Sequence, residues 1–141
     1  MTASSTEDGP PAVLLDTSVI IDLEDLDRGR YTASIALLSA VSVGELAYGV
    51  DSGADRGERA ARLRRVVHDY EVLPFGVEEA KLYGVLATLV RAAGRNPRPR
   101  RLDLQIAATA AAARVPLLTC NPDDFTGIER LVDVVALTRG A

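Results

Sequence analysis

The sequence predicts an α/β protein: three layers, α/β/α, around a central, mainly parallel sheet of four to five strands. Three observations lead there. Short apolar blocks alternate with longer stretches of helical spacing, the pattern of βαβ units with right-handed crossovers. The chain has 141 residues, enough for one domain with its own core. Hydrophobic residues make up 48% and charged residues 26%, an ordinary globular balance.

Residues 1–12 are small, polar and proline-containing, and are expected to form a flexible tail ahead of a single domain over 13–141. Val13 to Leu15 reads as a buried first strand, because an apolar run bounded by polar residues suits the middle of a parallel sheet. Thr17 to about Asp25 reads as the first helix, with Thr17 or Ser18 able to cap it, and Asp25 to Arg30 as a polar connection. Ser34 to Ser39 is the second strand, and Val43 to about Val50 a helix stopped by the breakers at 49–53.

Arg56 to Tyr70 places Leu63, Val66, Val67 and Tyr70 on one face and arginines on the others, an amphipathic surface helix. Glu71 to Phe75 is a short strand, expected at a sheet edge because Pro74 cannot donate to a ladder. Val77 to Ala93 repeats leucines at helical spacing, with Gly94 as its stop. Residues 95–101 form an arginine- and proline-rich loop. Leu102 to Arg114 is an alanine-rich helix, Val115 to Cys120 a strand, residues 121–125 a turn, and Val132 to Leu137 the last strand.

Composition narrows the function. No apolar run approaches the ~20 residues a membrane helix needs, and residues 1–9 lack the features of a signal peptide. Cys120, the one cysteine, has no internal disulfide partner, which favours a reducing, cytoplasmic setting. The net charge of −4 excludes a bulk polycation, so any nucleic acid must meet a local basic surface. There is no glycine-rich phosphate loop and no nucleotide fingerprint. His68, the only histidine, lies in the amphipathic helix and reads as a surface residue.

Four acidic or polar clusters fall at strand ends or helix starts: Asp16, Glu45, Asp103 and Asn121-Pro122-Asp123-Asp124. Taken singly, each has a structural reading. Asp16 suits a helix cap, Ser42-Val43-Gly44-Glu45 matches a capping box, Asp103 suits the positive end of a helix, and the last cluster suits a turn. Taken together, a parallel sheet brings all four to its carboxyl edge, where ligands bind in such folds. Several carboxylates in one pocket repel unless a cation neutralises them. Hard oxygen ligands without histidine or cysteine favour Mg²⁺, with Mn²⁺ as the alternative.

The motifs Leu14-Leu15-Asp16-Thr17-Ser18-Val19-Ile20-Ile21, Ser39-Ala40-Val41-Ser42-Val43-Gly44-Glu45-Leu46, Arg101-Leu102-Asp103-Leu104-Gln105-Ile106-Ala107-Ala108-Thr109-Ala110 and Leu118-Thr119-Cys120-Asn121-Pro122-Asp123-Asp124-Phe125 resemble, in order and spacing, those of PIN-domain ribonucleases. The likeness is greatest to the VapC toxins of type II toxin–antitoxin systems, and runs from about residue 13 to the end. It implies a PIN-like fold and an Mg²⁺-dependent endoribonuclease that hydrolyses RNA (tRNA, rRNA or mRNA) with metal-activated water. It also implies a homodimer and a cognate VapB-like antitoxin that blocks the pocket.

By the same resemblance Asp16, Glu45 and Asp103 are the metal ligands, with Asp124 joining the catalytic set. Many relatives carry Asp where this chain has Asn121, so the fourth position lies between Asn121 and Asp124. Thr17, Ser18 and Thr119 are expected as supporting hydroxyls. Arg98, Arg100 and Arg101 of the loop are expected to contact substrate phosphates. Two other readings compete: a PIN-like module that binds RNA or metal without turnover, and a phosphoacceptor receiver domain. The latter wants a lysine near the last strands, where this chain has none.

Overall fold

A computed structural model describes residues 9–51 and 55–139. Five parallel strands form the central sheet: β1 (Ala12–Leu15), β3 (Ile35–Ser39), β4 (Glu71–Leu73), β5 (Leu117–Thr119) and β6 (Val134–Ala136), in the spatial order β4-β3-β1-β5-β6. The helices are α1 (Thr17–Asp22), α2 (Ala40–Asp51), α3 (Arg56–Asp69), α4 (Val77–Ala92) and α5 (Arg101–Ala113).

Alternation along the strands sorts the core into two halves. Val13, Leu15, Leu38 and Leu118 pack with Val19 and Ile20 of α1, Leu46 of α2 and Val66 of α3. Leu14, Leu37 and Leu117 pack on the other face with Leu86 and Val90 of α4 and with Leu104, Ile106 and Ala110 of α5. Side chains of a strand point alternately to opposite faces, so a sheet covered on both sides is apolar at every position. That is the three-layer α/β/α architecture the sequence predicts.

Several boundaries differ from expectation. The first helix is shorter than read: α1 ends at Asp22, and Leu23–Asp25 forms a 3-10 turn. Within the expected polar connection, β2 (Leu26–Asp27) pairs antiparallel with β7 (Thr138–Arg139) as a separate ribbon. Arg139 then binds Asp22 at 3.2 Å and Asp25 at 2.9 Å. Two-residue strands carry no periodicity, so only the return of the chain end reveals them. The expected tail covers residues 1–8, which lie outside the described residues, and 10–12, which dock. The Pro10 carbonyl accepts from Ser34 Oγ, the Pro11 carbonyl accepts from the Ile35 N–H, and Ala12 belongs to β1.

Other expectations are met. β4 is an edge strand, ending just before Pro74. Gly94 follows α4 with φ +82°, a left-handed conformation that costs glycine least. His68 is exposed beside Asp69. Among the described residues no helix is long and apolar enough to cross a membrane.

The strand order decides where a site can form. From β1 the chain moves to β3 and β4 on one side, then returns through α5 to β5 and β6 on the other. The switch point therefore lies between the carboxyl ends of β1 and β5, the usual ligand crevice of doubly wound sheets. In the β1–β5 pairing Leu15 stands opposite Leu118, so the next residues, Asp16 and Thr119, emerge there side by side.

Candidate active site

Asp16 sits in the crevice, 5% exposed, which for a carboxylate demands specific partners. Its backbone occupies the cap position of α1, yet its side chain makes no capping bond. Instead Ser18 Oγ and Thr119 Oγ1 each donate to Oδ2 at 2.8 Å. Two bonds to one oxygen orient the carboxylate and leave Oδ1 for another group. The expected role of Thr17 or Ser18 as a helix cap is thus replaced by contacts across the site.

The same substitution of roles holds for Glu45. The capping-box reading fails because α2 begins at Ala40, which puts Ser42 and Glu45 inside the helix. The cap is Ser39, fully buried, whose Oγ accepts from the Val41 N–H at 3.1 Å. Glu45 Oε1 accepts from Thr17 Oγ1 at 2.7 Å, and the same hydroxyl lies 2.9 Å from Ser42 Oγ. α1 and α2 are therefore joined by a hydroxyl–carboxylate network at the mouth of the crevice.

Asp103 lies in the first turn of α5, as expected. Burial pushes its carboxyl up to about 6, helped by the negative charges of Asp16, Asp124 and Glu45 and opposed by Arg100. A carboxylate that feels three others as neighbours belongs with them to one acidic cluster. Asp124 is held by an ion pair, its Oδ1 3.0 Å from Arg100 Nη1. Asn121 is exposed and starts the 3-10 turn Pro122–Phe125; its N–H donates to Thr119 Oγ1 at 3.0 Å. Asn121 thus braces the hydroxyl that holds Asp16, while Asp124 is the member of the last motif within reach of Asp103's charge.

The loop arginines divide. Arg95 Nη1 donates to the Asp123 carbonyl at 3.4 Å, and Arg100 pairs with Asp124. Arg98 and Arg101 are exposed, and among the described residues their guanidinium groups make no ion pair. Of the expected substrate contacts, Arg100 is engaged within the site itself: as the last residue of the 3-10 turn Arg98–Arg100 it pairs with Asp124 of the 122–125 turn.

Two residues that sequence reasoning missed complete the frame. Ser39 Oγ and Thr109 Oγ1 lie 2.9 Å apart, both fully buried, and Thr109 also donates to the Gln105 carbonyl at 3.0 Å. With Thr109's proton directed to Gln105, Ser39 donates to Thr109 while accepting from Val41. This pins the start of the helix bearing Glu45 to the helix bearing Asp103. A buried hydroxyl in an alanine run was the available signal.

The carboxylates offer only hard oxygen donors, the set suited to Mg²⁺ or Mn²⁺. The cluster is open: among the described residues no three His, Cys, Asp or Glu side chains are drawn up so as to hold an ion unaided.

Comparison with known proteins places the family and the fold. Residues 13–131 match the PIN domain. The chain belongs to the PIN-domain family. Its similarity within that family is to VapC ribonucleases. Ribonuclease VapC5 of Mycobacterium tuberculosis is 35% identical over 130 residues, 89% of this chain and 93% of the relative. Ribonuclease VapC of Rickettsia bellii is 32% identical over 133 residues, 84% of this chain and 92% of the relative. The crystal structure of VapBC-5, a toxin–antitoxin system member from Mycobacterium tuberculosis, superposes with a TM-score of 0.75 at 32% identity. It covers 90% of this chain and 99% of its counterpart. The resemblance to PIN domains thus holds over most of the chain.

Proposed function

We propose that this PIN-domain protein is a Mg²⁺-dependent endoribonuclease, the toxin of a VapBC-type pair, kept silent by a cognate VapB-like antitoxin. The observation that carries the reading is the meeting of Asp16, Glu45, Asp103 and Asp124 at the switch point of the sheet. Burial first, and then the charges of the other three, raise the carboxyl of Asp103. The relatives named Ribonuclease VapC support the reaction, and the VapBC-5 complex supports the partner.

Asp16, Glu45 and Asp103 would hold Mg²⁺, or Mn²⁺, with Asp124 alongside. Such an ion supplies charge neutralisation at the phosphate and activation of water, which is why no histidine base is required. The chain's own contribution is orientation. Ser18 and Thr119 hold one oxygen of Asp16, and Thr17 holds one oxygen of Glu45. The homodimer and the cytoplasmic setting belong to the same proposal.

The test is cleavage of a mixed RNA pool by the purified protein in Mg²⁺ and in EDTA, repeated with Asp16→Asn. Cleavage that needs Mg²⁺ and Asp16 supports the nuclease. RNA binding without cleavage under both conditions would instead support a binding-only PIN module, the reading that Asn121 and the Arg100–Asp124 pair favour.

A further inference from the structure

Beside the arginine loop lies a groove of about 510 Å³. Tyr83 and Arg91 of α4 form one side, with Asn96, Arg98 and Arg101 on the other. No acidic residue lines it. The hollow between α1 and α3 shows the contrast: there Arg62 and Arg65 share the wall with Asp22, Glu24, Asp25, Glu58 and Asp69.

The guanidinium groups of Arg91, Arg98 and Arg101 make no ion pair or hydrogen bond among the described residues, whereas Arg56, Arg100 and Arg139 each have a carboxylate partner. Three like charges around one hollow repel one another, and the protein's net charge of −4 makes their segregation from acids the more specific. Asn96 Oδ1 accepts from the Arg98 N–H, which turns its NH₂ group to donation. Tyr83 is half-buried against the core and so offers a ring of fixed orientation. Asn96 also lines the neighbouring hollow that holds Arg100 and Asp124, and so connects the groove to the acidic cluster.

We propose that this groove is the docking subsite for a nucleotide flanking the scissile phosphate of single-stranded RNA. Its phosphate lies among Arg91, Arg98 and Arg101, and its base stacks on Tyr83. The inference rests on the nuclease reading of the adjoining carboxylates. An acidic peptide also satisfies arginines, but a fixed aromatic face beside three phosphate-binding forks, leading to a hydrolytic centre, matches alternating base and phosphate.

The test measures binding of a fluorescent single-stranded RNA by anisotropy across a salt series, in an Asp16→Asn background that prevents turnover. Arg91→Gln, Arg98→Gln and Arg101→Gln combined should weaken binding at least about tenfold. They should also lower the slope of log affinity against log salt by about 0.7, the loss of one phosphate contact on a single strand. Tyr83→Leu should weaken binding by ~5-fold or more and leave the slope unchanged, while Tyr83→Phe binds like the parent, which separates stacking from misfolding. Arg64→Gln with Arg65→Gln on α3 should change neither quantity.

Unchanged affinity and slope in the triple variant overturn the proposal. So does loss of poly-glutamate binding with RNA binding intact, which reassigns the groove to an acidic protein segment. If the parent cuts RNA in Mg²⁺ and the triple variant binds RNA normally, only the groove assignment falls. If the Asp16→Asn protein binds no RNA and the parent cuts none, both readings fall together.

Discussion

Arg100 and Asp124 form an ion pair of 3.0 Å at the rim of the acidic cluster. The arginine therefore serves as an internal counter-ion to carboxylates that repel one another, and it lowers the pKa of Asp103 against their combined effect. Arg100→Gln removes that relief. In EDTA the variant should melt below the parent by about 2–4 °C, since a partly exposed pair contributes ~1 kcal/mol or less. Adding Mg²⁺ should narrow the gap, because the ion takes over the neutralisation. Thermal melts in both buffers decide it, and an equal gap in each rejects the counter-ion role.

Asp16→Asn and Asp103→Asn should each reduce RNA cleavage by about 100-fold or more while the fold is retained. An ion's transition-state stabilisation is several kcal/mol, and each 1.36 kcal/mol is a factor of ten. Circular dichroism and single-turnover cleavage check the two halves of this statement. A variant with near-parental cleavage would exclude that residue from the site.

Thr119→Val should weaken both stability and turnover, whereas Thr119→Ser should restore both. The hydroxyl donates to a carboxylate that is only 5% exposed, and a bond to a charged group is worth about 1.5–3 kcal/mol. Chemical denaturation and cleavage assays at 20 °C read the two effects. Full turnover in the valine variant would mean that Ser18 alone orients Asp16.

The carboxyl of Asp103 predicts a pH dependence of stability. Its pKa is pushed up to about 6 from an ordinary 3.8, first by burial and then by the neighbouring carboxylates. An acid raised in the folded state keeps its proton there after the unfolded chain has lost it. Stability therefore falls as pH rises from about 4 to about 6, and the full cost persists above. Asp103→Asn removes the cost. In EDTA it should be more stable than the parent at pH 7.5, by about 1 kcal/mol after solvent screening, and no more stable at pH 4. Denaturant titrations at the two pH values test this, and a variant less stable than the parent at pH 7.5 would contradict it.

Thr109→Val keeps the shape of the side chain but leaves the Ser39 hydroxyl without an acceptor. The surrounding face of α5 is Ala107, Ala108 and Ala110, too flat to set a register by interlocking. The variant should lose about 1–3 kcal/mol of stability, and its crystal structure should show Asp103 displaced relative to Glu45. Coincident positions in the two structures would reduce the pair to an ordinary buried hydrogen bond.

The sheet was legible because burial on both faces makes each strand a solid apolar block, as at Val13–Leu15 and Leu117–Leu118. Asp16 and Asp103 stand where such a block ends or a helix opens, whereas Glu45 was picked out by a capping-box pattern although it lies inside α2. The β2–β7 ribbon was not, since two residues per strand hold no period and the pairing joins positions over a hundred residues apart. The cap of α2 was misplaced because Ser42 and Glu45 satisfy the local rule for a capping box. The hydroxyl that in fact caps the helix, Ser39, is hidden as the last residue of β3.

By itself the sequence determined the layered α/β scaffold, the four motifs and the kind of donor they carry, because period, turn chemistry and residue type are local properties. Only the tertiary structure decided which hydroxyl serves which carboxylate, that Arg100 faces Asp124, and that Arg98 and Arg101 join Tyr83 and Arg91 around one groove. Those pairings depend on distances between elements remote along the chain. Such distances are fixed by strand order and by the packing of α4 and α5 on the sheet, which no local pattern encodes.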